Sequence, residues 1–220
     1  MQKSFSEAIH FIKHHQDGEI AEMLVKRGLQ YNMIYGVSSA LLQSYAKKEG
    51  KNHALAMQLW QQDFREAKLL ALMFADENET NADEINGIVT SFSNHELVEI
   101  ATLHFLPSVK NIQEMAYDWI LHDKVFVKMT GYMVFNRLAK LRKPLEPITI
   151  SLLVTCFKKD FTHSSLFIRN AVTQTFQEIA FRYPHLKKEV IFAAEYILSK
   201  NLGTEFENQA KDMLHVLTYC

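Results

Sequence analysis

Apolar residues return every three or four positions along nearly the whole of this 220-residue chain. That spacing builds one apolar face of an α-helix. Between 64 and 75 the face is Phe64, Ala67, Leu70 or Ala71, and Phe74. Between 165 and 183 it is Phe167, Ile168, Ala171, Val172, Phe176, Ile179 and Ala180. No run alternates strictly, as a half-buried strand would. Only 7 Gly and 4 Pro interrupt the chain, which excludes folds built from many tight turns.

Helix starts and stops divide the pattern further. Ser4–Glu7, Ser93–Glu96 and Thr204–Glu207 each fit S/T-x-x-E, in which hydroxyl and carboxylate satisfy each other's backbone amides. Asp63–Glu66 is a similar start. Stops fall at Gly28, Gly50, Pro144 and Gly203. The predicted helices are 4–15, 18–27, 38–48, 53–61, 64–75, 81–91, 94–104, 108–120, 124–141, 147–159, 164–182, 185–199 and 205–217. Short loops between them suit an α-solenoid of about six antiparallel pairs. A closed all-α bundle is the competing arrangement, because no internal repeat is visible as self-similarity. No linker is long enough to split the chain, so residues 1–220 are expected to form a single domain. The acidic 76–84 segment reads as surface.

Hydrophobic residues at 48% and charged residues at 22% exclude a disordered or fibrous chain. Two cysteines, Cys156 and Cys220, cannot make a disulfide framework, and a reducing, cytoplasmic setting is expected. The start, MQKSFSEAIHFIKHH, lacks the layout of a signal peptide. No stretch reaches the roughly 18 apolar residues of a membrane span, so no membrane partner is expected. There is no glycine-rich phosphate loop, zinc cysteine cluster or nucleophile elbow, and no cofactor is expected.

The net charge of −1 conceals an asymmetry. Residues 1–110 carry 10 basic and 14 acidic side chains. Residues 124–169 carry nine basic ones (Lys124, Lys128, Arg137, Lys140, Arg142, Lys143, Lys158, Lys159, Arg169) against Glu146 and Asp160. In a solenoid those helices are neighbours, and such a stripe would follow phosphates. The plain alternative is a set of solvated faces that happen to be basic.

The stretch from Tyr35 to Asp76 resembles the DNA alkylation repair family of HEAT-like-repeat proteins. It has an aromatic-Gly-Val turn (Tyr35-Gly36-Val37), a short basic helix (Ala46-Lys47-Lys48), a Leu-Trp pair (Leu59-Trp60) and a Glu-Ala pair (Glu66-Ala67). Fainter similarity runs through 126–139 and 166–185. The resemblance implies a HEAT-like α-solenoid, C-shaped, whose concave basic face grips duplex DNA. A monomer is expected. Enzymatic members hydrolyse the glycosidic bond of N-alkylated purines without flipping the base into a deep pocket, unlike most glycosylases. Their site uses a Trp and an Asp on one helix, then an Arg, then another Trp.

This sequence departs at each of those positions. His95 falls on the Trp place and Glu99 on the carboxylate place. The arginine place falls on Met129, beside Lys128, and the last Trp place on Gln174. Glu99 is therefore the catalytic candidate. The DNA-binding candidates are His95, Lys128, Arg137, Lys140, Arg142, Lys143, Arg169 and Gln174. With two aromatic walls and one charge missing, the resemblance implies a degenerate excision site. The alternative is a catalytically inactive scaffold for unusual DNA structures or a protein partner.

Each candidate has a plainer reading. Glu99 could be a solvated helix carboxylate and His95 an exposed first-turn histidine. Arg169 could be an ion-pair partner for a neighbouring helix. Glu96 is explained as the capping partner of Ser93. His10 and His14 stand four apart, a metal-ligand spacing, but no third ligand is near and no metal is expected. Cys156 reads as a buried thiol, and Trp60 and Trp119 as core anchors.

Overall fold

The computed structural model describes residues 4–145, 147–200 and 203–219. Among them are thirteen α-helices, two short 3-10 turns and no strand. The helices are α1 (Phe5–His14), α2 (Gly18–Lys26), α3 (Ser39–Glu49), α4 (His53–Trp60), α5 (Arg65–Phe74), α6 (Ala82–Thr90), α7 (His95–His104), α8 (Ile112–Leu121), α9 (Val125–Lys140), α10 (Pro147–Asp160), α11 (Leu166–Arg182), α12 (Lys187–Leu198) and α13 (Thr204–Tyr219). No helix among the described residues is long and apolar enough to cross a membrane.

Side-chain caps set many of the starts. Ser4 and Glu7 close a full capping box on α1. Asp17, Ser38, Asn52 and Asn81 accept backbone N–H groups at the starts of α2, α3, α4 and α6. Three expected caps differ. At α7 the cap is Asn94, which accepts from Leu97 N–H, and not Ser93. At α5 Phe64 holds the cap position without a side-chain bond, while the Asp63 carboxylate accepts from Asn32. Thr204 lies inside α13, and the Glu207 N–H donates to the Gly203 carbonyl. The helix expected over 108–120 is also shorter. Pro107 sits in a 3-10 turn, Leu106–Ser108, and Asn111 turns left-handed at φ 57° before α8 begins.

Backbone contacts divide the chain into two compact units, Met1–Lys110 and Asn111–Cys220. In the first, α5 lies against α3, α4 and α7. Every residue from Arg65 to Ala75 except Lys68 is buried, so α5 is the core helix of that unit. In the second, α9 lies between α8 and α11, α11 meets α13, and α10 and α12 pair beside them. Its centre holds Phe135 and a ring cluster of Phe157, Phe161 and Phe176, with centroids 4.5 and 5.0 Å apart. Gly131 allows the tightest approach. A Cβ there would overlap the Ala116 carbonyl and stand 2.7 Å from Ile120 Cγ1.

Cys156 and Trp119 are buried, as expected. Trp60 is only half-buried. Lys68 Nζ lies 4.5 Å above its ring and donates to its carbonyl oxygen, so one side of the indole faces a cation instead of the core.

Candidate nucleic-acid interface

In the first unit the aromatic-Gly-Val turn is held by a buried ionic network. Glu66 accepts the N–H groups of Tyr35, Gly36 and Val37 at 3.0, 3.0 and 3.2 Å. Arg65 donates to the Val37 carbonyl, to Ser39 and, through Nε and Nη2, to Glu96. The Tyr31 hydroxyl donates to Glu96 at 3.0 Å and to Asn94 at 3.2 Å. Gly36 has φ 82°, and a Cβ there would overlap the Asp17 carbonyl, so the turn requires glycine. Burial lowers the affinity of Arg65 for its proton, but Glu96 and Glu66 outweigh this and hold its pKa above the ordinary value. Burial, then the Glu96 charge, raises the Tyr31 pKa well above the tyrosine range. Glu96 thus ties α7 to α5 and is not a cap. Sequence reasoning missed this network because its two carboxylates, Glu66 and Glu96, each also fit a helix-start pattern.

The network fixes the first turn of α7, the helix that carries His95 and Glu99. His95 is half-buried and Glu99, one turn on, is exposed. Leu103, another turn on, is also exposed. Residues four apart share a helix face, so the carboxylate assigned to the catalytic place lies on an open strip of α7. In water such a group is well screened and stabilises a neighbouring cation little.

In the second unit several expected DNA contacts are engaged internally. Lys128 is 6% exposed; its Nζ donates to the Ile120 carbonyl and to Asp160 at 3.2 Å. Asp160 also accepts the Tyr132 hydroxyl at 2.7 Å. Arg169 is 8% exposed and donates to the His163 and Ser164 carbonyls and to Glu205 at 2.6 Å. Burying either cation unpaired would be costly, so these partners hold them inside the fold. Neither side chain is presented to a phosphate, which corrects the DNA contact expected of both; for Arg169 the ion pair to a neighbouring helix is the reading found. Arg137 is half-buried, with its Nε enclosed and unbonded among the described residues. Gln174 is exposed. It lines a cleft of about 530 Å³ with Asn170, Gln177, Glu205 and Asp212, whose carboxylates disfavour a phosphate. Met129, on the arginine place, is buried.

Three of the remaining cations, Lys140, Arg142 and Lys143, lie where α9 ends. Leu141 closes the helix and Arg142 turns left-handed at φ 53°. The Arg142 N–H donates to the Ala139 carbonyl at 2.9 Å and the Lys143 N–H to the Leu138 carbonyl at 3.0 Å. This is a Schellman closure, in which the left-handed place usually belongs to glycine. Two further bonds pin the segment: the Tyr183 hydroxyl donates to the Lys143 carbonyl, and Gln113 Nε2 donates to the Pro144 carbonyl at 3.0 Å. Lys140, Arg142 and Lys143 are exposed on this pinned turn. Part of their stabilisation is internal, because cations at a helix C-terminus complement its dipole. Lys158 and Lys159 are exposed at the end of α10.

No three His, Cys, Asp or Glu side chains come together as a metal site among the described residues. His10 and His14 stack in α1 with centroids 6.1 Å apart.

A family model described as DNA alkylation repair enzyme matches residues 9–198. No curated protein matches the sequence. One solved structure is described as "A new family of proteins related to the HEAT-like repeat DNA glycosylases with affinity for branched DNA structures". It has a TM-score of 0.78 at 18% identity, covering 88% of this chain and 83% of that one. The structure of Cex1p matches with a TM-score of 0.52 at 10% identity, covering 97% of this chain and 43% of that one. At these identities the likeness establishes the fold, a HEAT-like helical solenoid.

Proposed function

Given that the chain belongs to the DNA alkylation repair enzyme family, we propose that it binds duplex DNA through the basic turn that ends α9. The observation that carries this reading is Arg142. An L-residue in the left-handed region costs about 1–2 kcal/mol relative to the right-handed one, and glycine would avoid that cost. The chain holds an arginine there, between Lys140 and Lys143, on a turn pinned from Tyr183 and Gln113. Strain retained at an exposed cation has its use outside the fold. A pinned backbone removes part of the ordering cost of meeting phosphates, that of the loop itself.

The test is duplex binding measured over a range of salt. Each phosphate contact contributes roughly 0.9 to the slope of log affinity against log salt. Lys140→Glu, Arg142→Glu and Lys143→Glu together are expected to weaken binding and flatten that slope by about 2 to 3. Unchanged affinity at low salt would overturn the reading.

Excision of alkylated purines is a degenerate activity in this reading. A positioned carboxylate adds on the order of 2–4 kcal/mol of transition-state stabilisation in a closed site. Glu99 lies on an open face, and misplacement by about 1 Å costs about a hundredfold. Release of methylated purines is expected to be weak or absent, and any release falls in Glu99→Gln while DNA affinity stays level. Robust release that ignores Glu99→Gln would mean the site lies elsewhere. The neighbour with TM-score 0.78 is described as having affinity for branched DNA, and that favours a second reading: a binder of branched structures without excision. Tighter binding to a three-way junction than to a duplex, with no purine release, would select it.

A further inference from the structure

The helix α12 buries Val190, Ala193, Ala194 and Ile197. Its other side carries two large aromatic residues, Phe192 at 68% exposure and Tyr196 at 40%. They stand four apart and share one face. Two lysines flank the second ring: Lys158 Nζ, from the end of α10, and Lys200 Nζ, just beyond α12, each lie 4.8 Å from the Tyr196 centroid. Both lysines are exposed, as is Lys159 beside them. Glu195, Lys188 and Glu189 are the other exposed charges of α12, and with the three lysines they leave the face net positive. None of these residues takes part in the basic turn after α9.

We infer that the Phe192–Tyr196 face, with Lys158 and Lys200, is a stacking platform for an unpaired nucleic-acid strand. An exposed phenyl ring gains nothing for the fold, but it offers an unpaired base a flat partner. The lysines over Tyr196 supply cations one helical turn away, where the adjoining phosphates of a strand that stacks on Phe192 would lie. A flat apolar group alternating with an anion is the chemistry of a single strand. A duplex covers the faces of its internal bases by stacking and presents base edges and phosphates instead; neither needs a flat apolar partner, and the lysines alone would serve the phosphates. The inference rests on the DNA-binding reading above for the nature of its ligand and adds to it a contact that duplex DNA cannot make.

The experiment is fluorescence anisotropy on the full chain with three probes: a short oligothymidine, a fully paired duplex of equal length and a polyglutamate peptide. Phe192→Ala is expected to weaken oligothymidine binding about tenfold, to leave duplex binding unchanged and to leave the melting temperature near that of the parent. Phe192→Tyr restores binding. Lys158→Glu with Lys200→Glu weakens oligothymidine binding further and flattens its salt slope. Oligothymidine binding that ignores Phe192→Ala overturns the platform. Polyglutamate binding that exceeds oligothymidine binding and is lost with the two lysines overturns it in favour of an acidic protein partner. Loss of duplex binding in the α9-turn variants, with oligothymidine unaffected by Phe192→Ala, leaves the basic turn standing and the platform refuted. Phe192-dependent oligothymidine binding without duplex binding does the reverse.

Discussion

Arg142 sets stability against binding at a single position. Replacing it by glycine relieves about 1–2 kcal/mol of left-handed strain and returns about 0.5–1 kcal/mol through a looser unfolded chain. Removing the cation also forfeits about 0.3–1 kcal/mol of interaction with the α9 dipole. Arg142→Gly is therefore expected to leave stability within about 1 kcal/mol of the parent and to weaken duplex binding, read by urea denaturation and salt-dependent anisotropy. A variant binding as tightly as the parent contradicts the role given to this residue. The sequence displays the charges but not their surroundings. Counting along the chain gives Lys128, Arg169 and Arg142 the same weight, yet Lys128 and Arg169 are held by Asp160 and Glu205. Periodicity alone does not reveal that an ammonium reaches a carbonyl eight residues back, as Lys128 reaches Ile120. Glu96 is the converse case: its spacing from Ser93 describes a cap, while its carboxylate serves Arg65.

At the scale of the element, the thirteen helices were legible because apolar spacing and cap residues are local properties. Their ends shifted where a neighbour competed for the cap residue, as at Glu66, or where a left-handed Asn111 broke a continuous apolar run. No repeat was legible as self-similarity, and the ion pairs that tie helices together were not legible either, because their partners lie far apart in the sequence. Arg65 meets Glu96 at a separation of 31 residues, Lys128 meets Asp160 at 32 and Arg169 meets Glu205 at 36. Each joins a cation near the start of one helix to a carboxylate of a later one. Helix approach is set by small residues. Alanine is favoured over glycine in a helix by about 1 kcal/mol, and Gly87 of α6 has open space for a Cβ. Gly131 has the Ala116 carbonyl and Ile120 there instead. Gly87→Ala is therefore expected to stabilise by about 0.5–1 kcal/mol. Gly131→Ala is expected to destabilise by about 1–3 kcal/mol, as α8 and α9 are forced apart. Thermal melts of the two variants moving in the same direction would refute the close approach.

Across the whole molecule each unit encloses the same three-part device: a buried cation, a carboxylate and a tyrosine hydroxyl donating to that carboxylate. In the first unit it is Arg65, Glu96 and Tyr31; in the second it is Lys128, Asp160 and Tyr132. The hydroxyl supplies the carboxylate with a second donor, which keeps a buried ion pair from being left half-satisfied. Both tyrosines are pushed well above their ordinary value of 10.0, first by burial and then by the adjacent carboxylate. The pH dependence follows from the sign of that shift. Above about pH 10 an unfolded tyrosine releases its proton while the folded one keeps it, so the folded state binds more protons and stability falls as pH rises. The stabilisation is complete below pH 10 and is lost on the alkaline side, at about 1.4 kcal/mol per pH unit for each tyrosine. Lysines titrate in the same range, so the measurement is a difference between parent and variant. Tyr132→Phe removes a hydrogen bond and is expected to start less stable at neutral pH by about 1 kcal/mol or more. Its urea midpoint then falls less steeply than that of the parent between about pH 10 and about pH 11. Parallel slopes for parent and variant would mean that the Tyr132 proton does not contribute to the fold.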